Sequence, residues 1–149
     1  MLFRSQAVAA FQPFRIDDDA FRSALSALTG RSFDQVLPYL STLEAAQVLQ
    51  RRGASLRVVP DLLGDAVLAG ACTYAATGIP TGYLDRAFAV ADGVALAHLF
   101  VNSCRVDWQV RRSAAEQRSL VEPLWTLVTS QFAEAGTRSE ERRVGKECW

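Results

Sequence analysis

Residues 32–63 read SFDQVLPYLSTLEAAQVLQRRGASLRVVPDLL, and their change from a helical period to an alternating one and back restricts the fold more than any other stretch. Ser32 and Gln35 stand at S-x-x-Q spacing, the arrangement in which two side chains satisfy the free N–H groups of a helix start, so a helix is expected from Phe33. Its apolar positions Phe33, Val36, Leu37, Leu40 and Leu43 form one stripe. Pro38 sits inside that helix without a backbone donor and weakens its first turns. After Ala46 the apolar residues Val48, Leu49, Leu56, Val58 and Val59 flank Arg51-Arg52-Gly53-Ala54, which predicts a short hairpin with Gly53 at positive φ. Pro60-Asp61 ends the second strand and opens another helix.

Upstream, Gln6–Phe11 reads as the last turns of a helix stopped at Gln12-Pro13. Asp17–Asp19 then precedes a helix with the apolar face Phe21, Ala24, Leu25 and Leu28, closed by Gly30. Three aspartates in a row suggest a metal site. Consecutive residues of a capping turn point apart, however, and carboxylates at a helix start are favoured by its dipole, so capping is the expectation. Helix, helix, hairpin is the order of a winged helix. The expected fold is mainly α: a winged helix over residues 6–63 with its first helix truncated, then an antiparallel helical array over residues 64–137.

In that array, Asp61–Ala76 is expected to bury Leu63, Ala66, Val67, Gly70, Ala71 and Tyr74. TGIPTG, from Thr77, is a loop, and a helix from Tyr83 carries Leu84, Ala87, Phe88 and Ala91. Asp92-Gly93 kinks that helix or divides it from the next, because glycine is a poor interior helix residue. Val94 to about Val110 is expected to bury Leu96, Leu99, Phe100, Ser103 and either Val106 or Trp108. Ser119 and Glu122 form a second capping box before Leu120, Leu124, Leu127, Val128 and Gln131. Antiparallel helix pairs behind a winged helix suit the start of an α-solenoid.

The two ends differ in kind. RSEERRVGKEC, Arg138–Cys148, resembles a translated short-read sequencing adapter, and Leu2-Phe3-Arg4-Ser5 resembles its reverse complement. Lys146 is the only lysine, while residues 6–137 use arginine alone. Residues 1–5 and 138–149 are therefore expected to be artefactual, the latter a disordered tail, and are left out of fold reasoning. Residues 6–137 contain 11 Arg against 13 Asp plus Glu, a net charge of 11 − 13 = −2, which is not the footprint of a protein wrapped on nucleic acid or on an anionic membrane. Cys72 and Cys104 are too few for a disulfide framework and lie in apolar surroundings, where a thiol behaves as a small hydrophobe; a cytoplasmic setting is the expectation. The most apolar region, Ala87–Val101, is broken by Asp92, Gly93 and His98 and falls short of a membrane span.

STLEAAQVLQRRGASLRVVPDLL resembles the winged-helix segment that follows the P-loop domain in STAND-type signalling NTPases, with a weaker likeness from about Ala9 through VNSCRVDWQV and LVEPLWTL. One residue departs from the pattern: Gln47 stands where a helix-ending glycine is expected after LEAA. The resemblance implies a parent ATPase and a following helical sensor region.

Chemistry is sparse. G-x-x-x-x-G-K-[ST] is absent, so a nucleotide site, if the parent has one, lies elsewhere, and no cofactor is expected in this chain. His98 among Leu96, Leu99 and Phe100 reads as a helix residue rather than a base, and its spacing to Cys104 turns the two apart. Cys104 and Asp107 share a face but are too few ligands for a metal. Catalytic, cofactor and metal residues are thus none. DNA binding is the competing function, since a winged helix offers its third helix to the major groove. From Phe33 to Ala46, however, that helix carries Asp34 and Glu44 and no cation. Arg51, Arg52 and Arg57 make the wing basic and are the expected contacts, to phosphate or to protein. The expected function is a non-catalytic coupling module of a larger signalling ATPase, whose partners are other domains of the parent or other proteins. The alternatives are a DNA-binding regulator and a free-standing helical adaptor.

Overall fold

A computed structural model describes residues 2–113, 118–130 and 133. The elements run α1 (Leu2–Phe11), β1 (Phe14–Arg15), α2 (Asp19–Thr29), α3 (Phe33–Ala45), β2 (Leu49–Arg52), β3 (Ser55–Val58), α4 (Asp61–Cys72), α5 (Tyr83–Val90) and α6 (Gly93–Ser113). A 3-10 turn at Glu122–Leu124 leads into a helical stretch at residues 125–130. The fold is mainly α with one small antiparallel sheet, as expected.

The sheet has the order β1-β3-β2, and the hairpin pairs Leu49 with Val58 and Arg52 with Ser55. Arg52 and Ser55 thus flank a two-residue loop in which Gly53 has φ 60°, the conformation that makes glycine the favoured first residue of a II′ turn. The third strand was not legible: β1 is two residues long, too short to show a period, and exists because Phe14 and Arg15 pair with Leu56 and Ser55.

Helix ends follow the expected local chemistry in α2 and depart from it at both ends of α3. Asp18 caps α2, accepting from the Ala20 N–H at 2.9 Å, and Gly30 closes it at φ 66°. Ser32 precedes α3 as expected, but its hydroxyl makes no capping bond, so the predicted box with Gln35 is only a backbone turn, Gln35 N–H to Ser32 O at 3.0 Å. At the other end of α3, Gln47 takes the left-handed conformation itself, at φ 59°. The Val48 N–H reaches Leu43 O at 2.9 Å and the Gln47 N–H reaches Glu44 O at 3.0 Å, a Schellman closure made without its usual glycine. Gln47 is exposed and its Cβ gains nothing from this conformation. Gln47→Gly is therefore expected to stabilise the chain by about 0.5–1 kcal/mol, read as a higher denaturant midpoint with unchanged slope.

One core runs through the described residues on both sides of position 63. Its centre is the second half of α1, where Ala7, Val8, Ala9, Ala10 and Phe11 are all at most 1% exposed. Such a run has no polar face because α2, α4 and α6 enclose it. Leu2–Ser5, left out of the sequence reasoning, is the first turn of this helix. Around Phe21, Phe14 stacks at 4.1 Å while Phe11 and Phe33 meet it edge-on at 6.4 and 6.3 Å, geometries worth more than burial alone.

The array departs from expectation in α4, which ends at Cys72 rather than Ala76. It buries Gly64, Asp65, Leu68, Ala71 and Cys72, while Leu63, Ala66, Gly70 and Tyr74 lie outside. The cause is Asp65, 3% exposed, whose Oδ2 accepts from Arg105 at 2.9 Å and Gln109 at 3.0 Å of α6. A carboxylate met by these donors can face inward, and an apolar pattern cannot anticipate partners that far along the chain. In α6 it is Val106 that is buried; Trp108 is 60% exposed. Ser119 Oγ accepts from the Glu122 N–H at 3.1 Å, the serine half of the second predicted box, here ahead of a 3-10 turn, and the same hydroxyl donates to the buried Asp107 at 3.1 Å. Gln131 lies outside the described residues.

Candidate functional site

The surface expected to meet a partner consists of the β2–β3 hairpin, the expected wing, and the outward face of α3. α3 presents Asp34, Gln35, Leu37, Pro38, Ser41 and Thr42 to solvent. Its two hydroxyls are occupied at home: Ser41 donates to Leu37 O at 3.2 Å and Thr42 to Pro38 O at 2.9 Å. No cation stands on this face, and its one carboxylate is repelled by phosphate.

The structure divides the three predicted wing arginines. Arg51 lays both arms of its guanidinium on Glu44 of α3, at 2.9 and 3.0 Å, which ties the wing to that helix. These hydrogen bonds hold the Glu44 carboxyl below the usual carboxylate range and push Arg51 up. With a lowered carboxyl pKa, the tie is whole at neutral pH and is lost as pH falls through that pKa. Arg57 is bound to Asp61 at the start of α4. Arg52 is exposed and has no ion pair among the described residues. Two of the three positive charges are thus neutralised in place.

Between the wing tip, β1 and the start of α3 lies an open groove of about 580 Å³, lined by Ile16, Asp17, Arg22, Phe33, Asp34, Leu37, Arg51 and Ala54. Its floor is largely apolar and its lining charges balance, Asp17 and Asp34 against Arg22 and Arg51; Asp17 holds Arg15 at 2.7 Å, and Arg22 lies 4.8 Å from the centre of the Phe33 ring. A balanced, partly apolar groove of this kind suits a protein segment better than a polyanion.

The predicted chemistry residues are not brought together. The three aspartates diverge: Asp17 binds Arg15, Asp18 caps α2 and Asp19 lies 4.0 Å from Arg22. No group of three or more His, Cys, Asp or Glu able to hold a metal occurs among the described residues. Cys72 is buried, and burial pushes its thiol up to about 12. Cys104, expected to be buried, is exposed on α6, and its thiol is raised by partial burial and by Asp107. Both shifts disfavour the thiolate. His98 is half-buried on α6.

Sequence reasoning missed the polar residues that hold the scaffold of this site. Asn102, 4% exposed, donates to Ala10 O at 2.9 Å and Gln12 O at 2.6 Å, and so caps the end of α1. The Gln12 side chain accepts from the Val58 N–H of β3 at 2.8 Å. The only signal was a polar residue inside an apolar helical run, LFVNSC.

No family model, no curated protein and no solved structure matches the chain.

Proposed function

We propose that this chain works by contact rather than by catalysis, as a rigid coupling module whose wing and α3 face other protein parts, in the setting of a larger signalling ATPase. One observation carries the reading: the bidentate Arg51–Glu44 pair turns the wing's charge inward onto an α3 face that has no cation. No helix among the described residues is long and apolar enough to cross a membrane, and a cytoplasmic setting accords with the reading.

A salt-titrated gel shift on duplex DNA tests it. The chain is expected to bind weakly and without sequence preference, and the Arg51→Ala/Arg52→Ala variant is expected to behave alike. A tight complex abolished in the double variant would make this a DNA-binding regulator. The ATPase setting is tested by locating the coding sequence in a longer reading frame. An upstream P-loop supports it, and a complete frame without one removes it.

A further inference from the structure

α6 carries two apolar stripes. One, with Leu96, Leu99 and Val106, is buried in the core. The other points to solvent: Val94, Val101 and Trp108 are 54, 56 and 60% exposed, with Cys104 exposed and Ala97 half-buried between them. These five residues follow one another at intervals of three, four, three and four, so they stay in line along about four turns of one helix face. That period is the seam along which a second helix packs, and an extended or flat partner has no use for it. The occupant this face calls for is an α-helix.

Charge says which helix, and which way it runs. From Gly93 to Cys104 there is no Asp, Glu, Lys or Arg. Asp92, exposed, stands just ahead of α6, and Arg111 and Arg112, exposed, stand at its end. Arg112 stacks 4.7 Å from the centre of the Trp108 ring and has no ion pair among the described residues. Arg111 lies 3.9 Å from Asp107, whose carboxylate already accepts from Ser119 and from the Leu120 N–H. Arg105 is turned away towards α4 by Asp65. A fitting partner helix therefore offers a base at the Asp92 end, an acid at the Arg112 end and a small residue opposite Trp108. α6 itself, run antiparallel, meets all three needs in a single register. With Trp108 opposite Ala97, Val101 falls opposite Cys104, and Arg112 falls beside Asp92.

We propose that α6 of a second copy occupies this face, the two helices pairing antiparallel about a two-fold axis between Val101 and Cys104. The two-fold repeats every contact, so one acidic end and one basic end form two ion pairs at the rim and leave no like charges opposed. The centre of the seam is uncharged, so pairing buries no ion there. The dimer does not rest on the coupling role proposed above.

Sedimentation velocity of the full chain from about 5 to about 500 µM should show a reversible monomer–dimer equilibrium. Val101→Glu sets two carboxylates beside the axis and should weaken it at least about tenfold, while Leu62→Glu on α4 leaves it unchanged. Both sites are exposed, so neither change disturbs the core. Asp92→Arg and Arg112→Glu should each weaken the dimer about three- to tenfold, and the two in one chain should restore it. That rescue needs the two positions to meet across copies, which no other partner supplies. Direction is read with a short bismaleimide cross-linker in a Cys148→Ser background. The two Cys104 thiols are offset by about 4–5 Å along the helices and should be joined, whereas Val94→Cys with Cys104→Ser sets the thiols about 25 Å apart and should not. A monomer throughout the series, indifference to Val101→Glu, equal weakening by Leu62→Glu, no rescue by the charge exchange, or cross-linking at position 94 overturns the proposal.

Discussion

Asn102→Ala is expected to lower the stability of the chain by about 3 kcal/mol, a fall in Tm of about 8–10 °C. The amide carries two hydrogen bonds to carbonyls at the end of α1, where water cannot reach. Removing it leaves the Ala10 and Gln12 oxygens buried without that donor and opens a small cavity where α6 packs on the end of α1. Asn102→Asp separates the two causes. It keeps the volume but offers oxygens to oxygens, and should cost at least as much as the alanine. If the aspartate variant melts near the parent while the alanine variant does not, packing rather than hydrogen bonding holds that end of α1.

The second large effect is expected at Gly64. Alanine normally improves a helix interior by about 1 kcal/mol over glycine. Here the added Cβ would stand 2.3 Å from Gln12 Nε2 and 3.3 Å from its Cδ. Gln12 cannot simply swing aside, because its Oε1 holds the Val58 N–H of β3, the central strand of the sheet. Gly64→Ala should therefore destabilise by about 1–3 kcal/mol despite the propensity gain. A double-mutant cycle isolates the contact: in a Gln12→Ala background the same change should be neutral or stabilising. A higher Tm for Gly64→Ala in the parent chain would show that α4 moves freely against β3.

The two effects share a structural reason. α1 ends at Phe11, and from Gln12 the chain turns to make β1 while α4 and α6 close over the junction. Backbone groups released there lie too deep for water and are met by side chains from helices remote in sequence. Asn102 supplies the donor for α1, Gln12 the acceptor for β3, and Asp65 takes both Arg105 and Gln109. This polar lattice ties α1, β3, α4 and α6 together, so the hairpin and α3 sit on a braced frame.

Much of this was readable in the chain itself, wherever the signal and its cause lie within a few residues. Asp18 and Gly30 bound α2, Gly53 makes the wing's turn, Asp92-Gly93 separates α5 from α6 and Ser119 caps the last described turn, each through bonds to its own neighbourhood. The missing positive charge on α3 was equally plain. What the chain by itself could not determine depends on partners distant in sequence. A two-residue β1 exists only against β3. Arg51 is turned from a phosphate contact into a tie by Glu44, which the fold places beside it. α4 was expected to bury Leu63, Ala66 and Gly70 and buries Asp65 instead. Burial of a helix face is settled by which neighbours can meet its polar atoms, and only the tertiary structure assembles those neighbours.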